Sequence, residues 1–123
     1  MKKIALLFVV LGLISSIKAN EGTCIVPGTN EYVTVIAENN EDGTVDLVII
    51  NSSEKPLVSL NIKAYVSYVN GPFLETKLFY NSIYYEGVNA YATRRIMRIN
   101  LGIGQASIEN FYIEIGNPIC KGE

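Results

Sequence analysis

Histidine and tryptophan are absent from this chain, and cysteine occurs only twice. Without histidine no Ser-His-Asp or Cys-His relay can form. The same absence, with no Cys-x-x-Cys pair, removes the usual ligands for zinc and the dithiol of thioredoxin-like redox chemistry. The carboxylates Glu38, Glu41, Asp42, Glu54, Glu75 and Glu86 fall near turns or on exposed strand positions, as solvated charges do, and not as the facing acid pair of a glycosidase. Gly102-Ile103-Gly104 has neither the lysine nor the following helix of a phosphate loop and reads as a turn. The chain is therefore read as a non-enzyme with no cofactor and no metal.

One long apolar run is present. Met1-Lys2-Lys3 precedes Ile4 to Ile14, and Ala19 supplies a small residue before a cut. This is the pattern of a cleaved signal peptide over residues 1–19, followed by a single domain over 20–123. The run is shorter than the roughly 20 residues a spanning helix needs, and no lipobox surrounds Cys24. A secreted or periplasmic protein follows, with no membrane insertion in its mature form. Cleavage removes Lys2, Lys3 and Lys18, leaving seven basic against twelve acidic residues, a net charge of −5. Such a surface repels nucleic acid and anionic membranes. In an oxidising compartment Cys24 and Cys120 are expected to form a disulfide. Closing 95 intervening residues, it would contribute about 4–5 kcal/mol by loop entropy.

The mature chain alternates with period two. Val58, Leu60, Ile62, Ala64, Val66 and Tyr68 share one parity, and Ser59, Asn61, Lys63, Tyr65 and Ser67 the other, predicting a strand over 57–69. Residues 31–38 and 44–50 flank Asp42-Gly43, a hairpin signal. Further strands are expected over 73–80, about 90–101 and 107–115, with 81–89 irregular and Gly116-Asn117-Pro118 ending the last. Six or seven short strands without a helix argue an all-β fold, a single antiparallel sandwich or small barrel.

The stretch from Val45 to Gly71, VDLVIINSSEKPLVSLNIKAYVSYVNG, resembles small immunoglobulin-like modules of the FxLYD or cellulose-binding kind. In these a strand ends in Asn, a Ser-Glu-Lys-Pro-type loop follows, and a long alternating strand leads to an Asn-Gly turn. The resemblance covers about a quarter of the chain and implies a single antiparallel immunoglobulin-like β-sandwich of six or seven strands. The FxLYD signature is replaced by Ala64-Tyr65-Val66-Ser67-Tyr68, and the tryptophan on which such cellulose-binding modules stack sugar is missing. No functional residue is carried over.

Eight tyrosines stand out. Tyr68 and Tyr80 fall on apolar parities. Tyr65, Tyr84, Tyr85, Tyr91 and Tyr112 are candidate ligand-binding residues, since an exposed ring offers a flat apolar body and a hydroxyl; cross-strand pairing on a sheet surface is the alternative. Arg94, Arg95 and Arg98 form the one basic cluster. Regular alternation puts Arg94 and Arg98 on one face, either ion-paired with acidic neighbours or docking an acidic ligand. Asn51-Ser52-Ser53 is an N-glycosylation sequon for a eukaryotic source. These features favour a binding module, with a protein partner first, a polysaccharide second, a structural envelope or matrix role third and a secreted inhibitor fourth. If the domain binds sugar, at least two of these candidate tyrosines should lie together on one exposed platform; rings scattered or buried in the core would put carbohydrate behind the protein partner.

Overall fold

The computed structural model describes residues 20–121, so the signal segment expected over 1–19 lies outside the described residues. Among these there are seven strands and no helix: β1 (Glu21–Ile25), β2 (Tyr32–Asn39), β3 (Thr44–Asn51), β4 (Leu57–Asn70), β5 (Phe73–Tyr84), β6 (Thr93–Asn100) and β7 (Ser107–Cys120). They form two antiparallel sheets, ordered β1-β2-β3-β6 and β5-β4-β7, which pack together as the expected all-β sandwich. The four-plus-three layout is immunoglobulin-like, while the wiring differs. Constant-type immunoglobulin domains place the first, second, fifth and fourth strands in one sheet. Here β3 stays beside β2 as a hairpin and β6 returns to pair with it.

The core lies between the sheets. Val33, Val35 and Ala37 of β2 and Val45, Leu47 and Ile49 of β3 meet Leu60, Ile62, Ala64 and Val66 of β4 and Phe111 and Ile113 of β7. β-Branched residues suit this pleated, half-buried surface. Each fully buried aliphatic contributes about 1.5–3 kcal/mol of transfer free energy. Gly43, at φ 87°, supplies the left-handed backbone that the β2–β3 turn requires.

Register shifts account for most departures from strict alternation. One between Leu57 and Ser59 turns Val58 out and Leu57 in. Another, opposite Ala64/Tyr65, leaves Phe79 as an extra residue of β5, so Phe79 and Tyr80 both pack against the core. The Phe79 ring meets Phe111 edge-on at 6.0 Å. β5 also continues through 81–84, expected to be irregular, and β7 runs on through Pro118 to Cys120. Pro118 is tolerated because the β4–β7 register is irregular there.

Two sequence expectations need correction. The structure does not join Cys24 to Cys120. Cys24 pairs with Val33 in the four-stranded sheet, and Cys120 with Leu57 in the other. β1 meets β7 at Gly22, where an added Cβ would lie 2.5 Å from the Ile113 carbonyl oxygen. Seven residues separate Ile113 from Cys120, roughly 20 Å of strand, and the two-residue step from Gly22 to Cys24 covers only about a third of it. A bridge needs Cα atoms within about 7 Å. Burial pushes the Cys24 thiol up, favouring its neutral form.

Asn51 is the second correction, because it is fully buried. Its Nδ2 donates to the carbonyls of Lys55 (2.8 Å), Asn89 (3.2 Å) and Val88 (3.3 Å). Its Oδ1 accepts from the Ser53 amide (3.0 Å) and hydroxyl (2.7 Å). A glycan on this nitrogen would displace all three carbonyls, so the folded domain has no room for one. The side chain instead ties the β3–β4 turn to the β5–β6 connection.

Candidate functional site

The outer face of the four-stranded sheet is closed upon itself. Asp46 of β3 lies on that face yet is only 6% exposed. Its Oδ1 accepts from the Asn40 side chain (2.9 Å) and the Arg98 amide (2.9 Å), and its Oδ2 from the Arg95 guanidinium (3.1 Å). The Asn40 amide, then the Arg98 N–H, hold this carboxyl below the usual range. Arg95 also pairs with Glu38 at 2.7 Å, and Arg98 with Asp42 at 2.7 Å. Thr44, through its hydroxyl first and its amide second, holds the Asp42 carboxyl down as well.

A bulge arranges this cluster. Val45 pairs with Ile99 and Leu47 with Ile96, so Met97 and Arg98 together face Asp46, with Arg98 at φ 57°. The extra residue inverts the alternation. Arg98 therefore joins Arg95 on the outer face, while Arg94, opposite the buried Ile49, takes the other parity and donates to the Gly87 carbonyl at 3.5 Å. The shared Arg94–Arg98 face expected from strict alternation is not formed. Arg95 and Arg98 are engaged with Glu38, Asp42 and Asp46.

The outer face of the three-stranded sheet is open. Tyr65, in the central strand β4, lies directly opposite Tyr112 of β7 on one side and Leu78 of β5 on the other. Tyr112 is 45% exposed and Leu78 43%, and Tyr65 is half-buried between them. Leu74, opposite Val69, and Ile83, opposite Asn61, are exposed on the same strand of this face. Beyond the tyrosines a depression of about 420 Å³ is lined by Asn61, Lys63, Asn81, Ile83, Glu114 and Gly116. Lys63 stands opposite Glu114 there.

The remaining candidate tyrosines do not join this row. Tyr84 is buried against the core, which pushes its phenol up, with Glu86 adding to the effect. Tyr85 and Tyr91 are exposed in the β5–β6 connection, beyond Tyr84, whose partner Leu60 lies five residues along β4 from Tyr65, about 17 Å. Sequence reasoning missed Leu74, Leu78 and Ile83 as surface residues. Strict alternation through 73–80 would set Leu74 and Leu78 on the parity of Tyr80, and only the extra residue at Phe79 separates them.

A second depression, of about 720 Å³, lies between the β2–β3 turn and the β6–β7 connection, with Glu41, Asp42, Leu101 and Gln105 among its walls. It carries no ring, and Asp42 is committed to Thr44 and Arg98. Compared with protein-family models, with curated proteins and with solved structures, the chain shows no match.

Proposed function

We propose that the protein is exported and acts as a non-catalytic binding module that presents the outer face of its three-stranded sheet to a protein partner. The observation that carries this reading is the row Leu78–Tyr65–Tyr112, three neighbouring side chains of one sheet face with two of them well exposed. Tyrosine gives contact area at low entropic cost, and leucines beside it add apolar surface without donors or acceptors. That mixture suits a protein surface. Replacing Tyr65 and Tyr112 together by Ala should abolish retention of the partner on the immobilised protein and leave the circular dichroism spectrum unchanged. Retention undiminished by the double variant would move the binding surface elsewhere. Export is checked by N-terminal sequencing of the secreted protein, expected to begin near Asn20.

Carbohydrate is the second reading, favoured by the polar depression beside the rings, where Asn61, Lys63, Asn81 and Glu114 offer donors and acceptors. Retention on insoluble polysaccharide, lost in the same double variant, would put sugar first.

A further inference from the structure

We propose that β5 is a self-association edge, through which two copies of this chain pair antiparallel about a two-fold axis at Thr76. An edge strand presents unpaired backbone donors and acceptors, and proteins blunt such edges with short strands, bulges, proline or a covering segment. Three of the four edges here are treated in that way. β1 has five residues and lies beside β7 at Gly22. β7 is approached by β1 and carries Pro118. β6 is bulged at Met97–Arg98. β5 runs for twelve residues. It too has an extra residue, at Phe79, but the six residues from Phe73 to Leu78 before it are regular and have no strand on their outer side among the described residues.

The hairpin fixes which backbone groups face that edge. Asn70 pairs with Phe73 across the two-residue turn Gly71-Pro72, and Gly71 at φ 62° fits a type II′ turn. The closing pair of such a hairpin exchanges backbone hydrogen bonds. Backbone groups alternate sides along a strand, so those of Phe73, Glu75 and Lys77 point to β4. Those of Leu74, Thr76 and Leu78 point outward.

The side chains then select one register. With the axis at Thr76, Glu75 lies opposite Lys77 of the second copy, and the reciprocal pair repeats it. Leu74 lies opposite Leu78 of the second copy, also twice, and Thr76 faces its own equivalent. Moving the axis to either neighbour would set Glu75 against Glu75 or Lys77 against Lys77, and like charges directly opposite are destabilising. Both charges have capacity left. Lys77 donates one hydrogen bond, to the Gly102 carbonyl at 3.1 Å, and the Glu75 oxygens accept one each from Tyr68 and Asn70. The product is a continuous six-stranded sheet with two open faces side by side. The edge shares Leu74 and Leu78 with the tyrosine face, but the pairing is argued from backbone groups and the Glu75–Lys77 register, so this inference does not rest on the reading of that face.

Sedimentation velocity on protein purified after expression of the full chain, across micromolar to millimolar concentration, tests it. Wild type should dimerise. Glu75→Lys and Lys77→Glu should each weaken the dimer by roughly tenfold or more, since two attractive pairs become repulsive. The double exchange should restore it. Thr76→Pro, which removes an outward N–H that the fold does not use, should leave a monomer with unchanged circular dichroism. Tyr65→Ala with Tyr112→Ala should leave the dimer intact. A wild type monomeric throughout, or single and double charge variants that behave alike, would overturn the proposal.

Discussion

The two outer faces of this sandwich are built from the same kind of strand and treat their side chains in opposite ways. On the four-stranded sheet, Asp46 is almost buried and Asn40, Arg95 and the Arg98 amide meet its oxygens, while Glu38 and Asp42 take up the two guanidinium groups. On the three-stranded sheet, Tyr112, Leu78, Leu74 and Ile83 stand in solvent, and Tyr65 lies in the same band. The first face spends its polar groups on itself, so it has little to offer a partner. The second holds apolar area in reserve, and exposed contiguous apolar surface is what marks interaction sites. Charge alone would have pointed to the arginines. Hydrogen-bond satisfaction points to the tyrosines.

The largest effect is expected at the inward-facing end of β3. Asn51→Ala would remove the five hydrogen bonds of a buried side chain. The carbonyls of Val88, Asn89 and Lys55 keep those from the Leu57 amide, the Ala92 amide and the Ser53 hydroxyl, and the Ser53 amide is the group left without a partner. At about 1–3 kcal/mol for that buried amide, with smaller losses at the shared carbonyls, a loss of about 2–4 kcal/mol is expected in urea denaturation.

Asp46→Asn is the next step down. It keeps the shape of the side chain and removes the charge that Arg95 and the Arg98 amide meet. The folded-state pKa of Asp46 lies below its ordinary value of 3.8. Its stabilisation is therefore complete above that value and lost as pH falls through the lowered one. Thermal unfolding should find the variant less stable than wild type at pH 7, with the gap closing below about pH 4. A gap independent of pH would mean that the cluster is packing and not electrostatics.

How much of this was legible in the sequence depends on range. The β2–β3 hairpin and β4 were readable because alternation and the Asp42-Gly43 turn are local properties. The bulges were not, since an extra residue such as Arg98 or Phe79 leaves the composition unchanged while inverting every parity after it. Asn51 read as a surface sequon because turn residues are usually solvated, and its burial depends on Val88 and Asn89, far along the chain. The Tyr65–Tyr112 pairing was equally hidden. Both residues sit on recognisable strands, yet nothing local sets the register between β4 and β7. The disulfide failed for the complementary reason, because compartment and cysteine count say nothing of where along β7 the first strand crosses.

The smallest effect on stability should come from the open face, and its smallness is the point. Tyr65 and Tyr112 are directly opposite on adjacent strands, so their mutual contribution belongs to the range of cross-strand pairs, about 0.2–1 kcal/mol. Tyr65 is the less exposed of the two and sits between Tyr112 and Leu78, so Tyr65→Ala should cost more than Tyr112→Ala. Neither is expected to exceed about 1 kcal/mol by much, because surface substitutions away from caps, charges and cavities seldom do. A double-mutant cycle in urea measures the coupling between them. Coupling of a few tenths of a kcal/mol, with partner retention lost in either single variant, is the signature of rings kept for a ligand. Coupling well above 1 kcal/mol with retention unchanged would make the pair a structural brace, and the contrast between the two faces would then lie in the chemistry of their self-satisfaction alone.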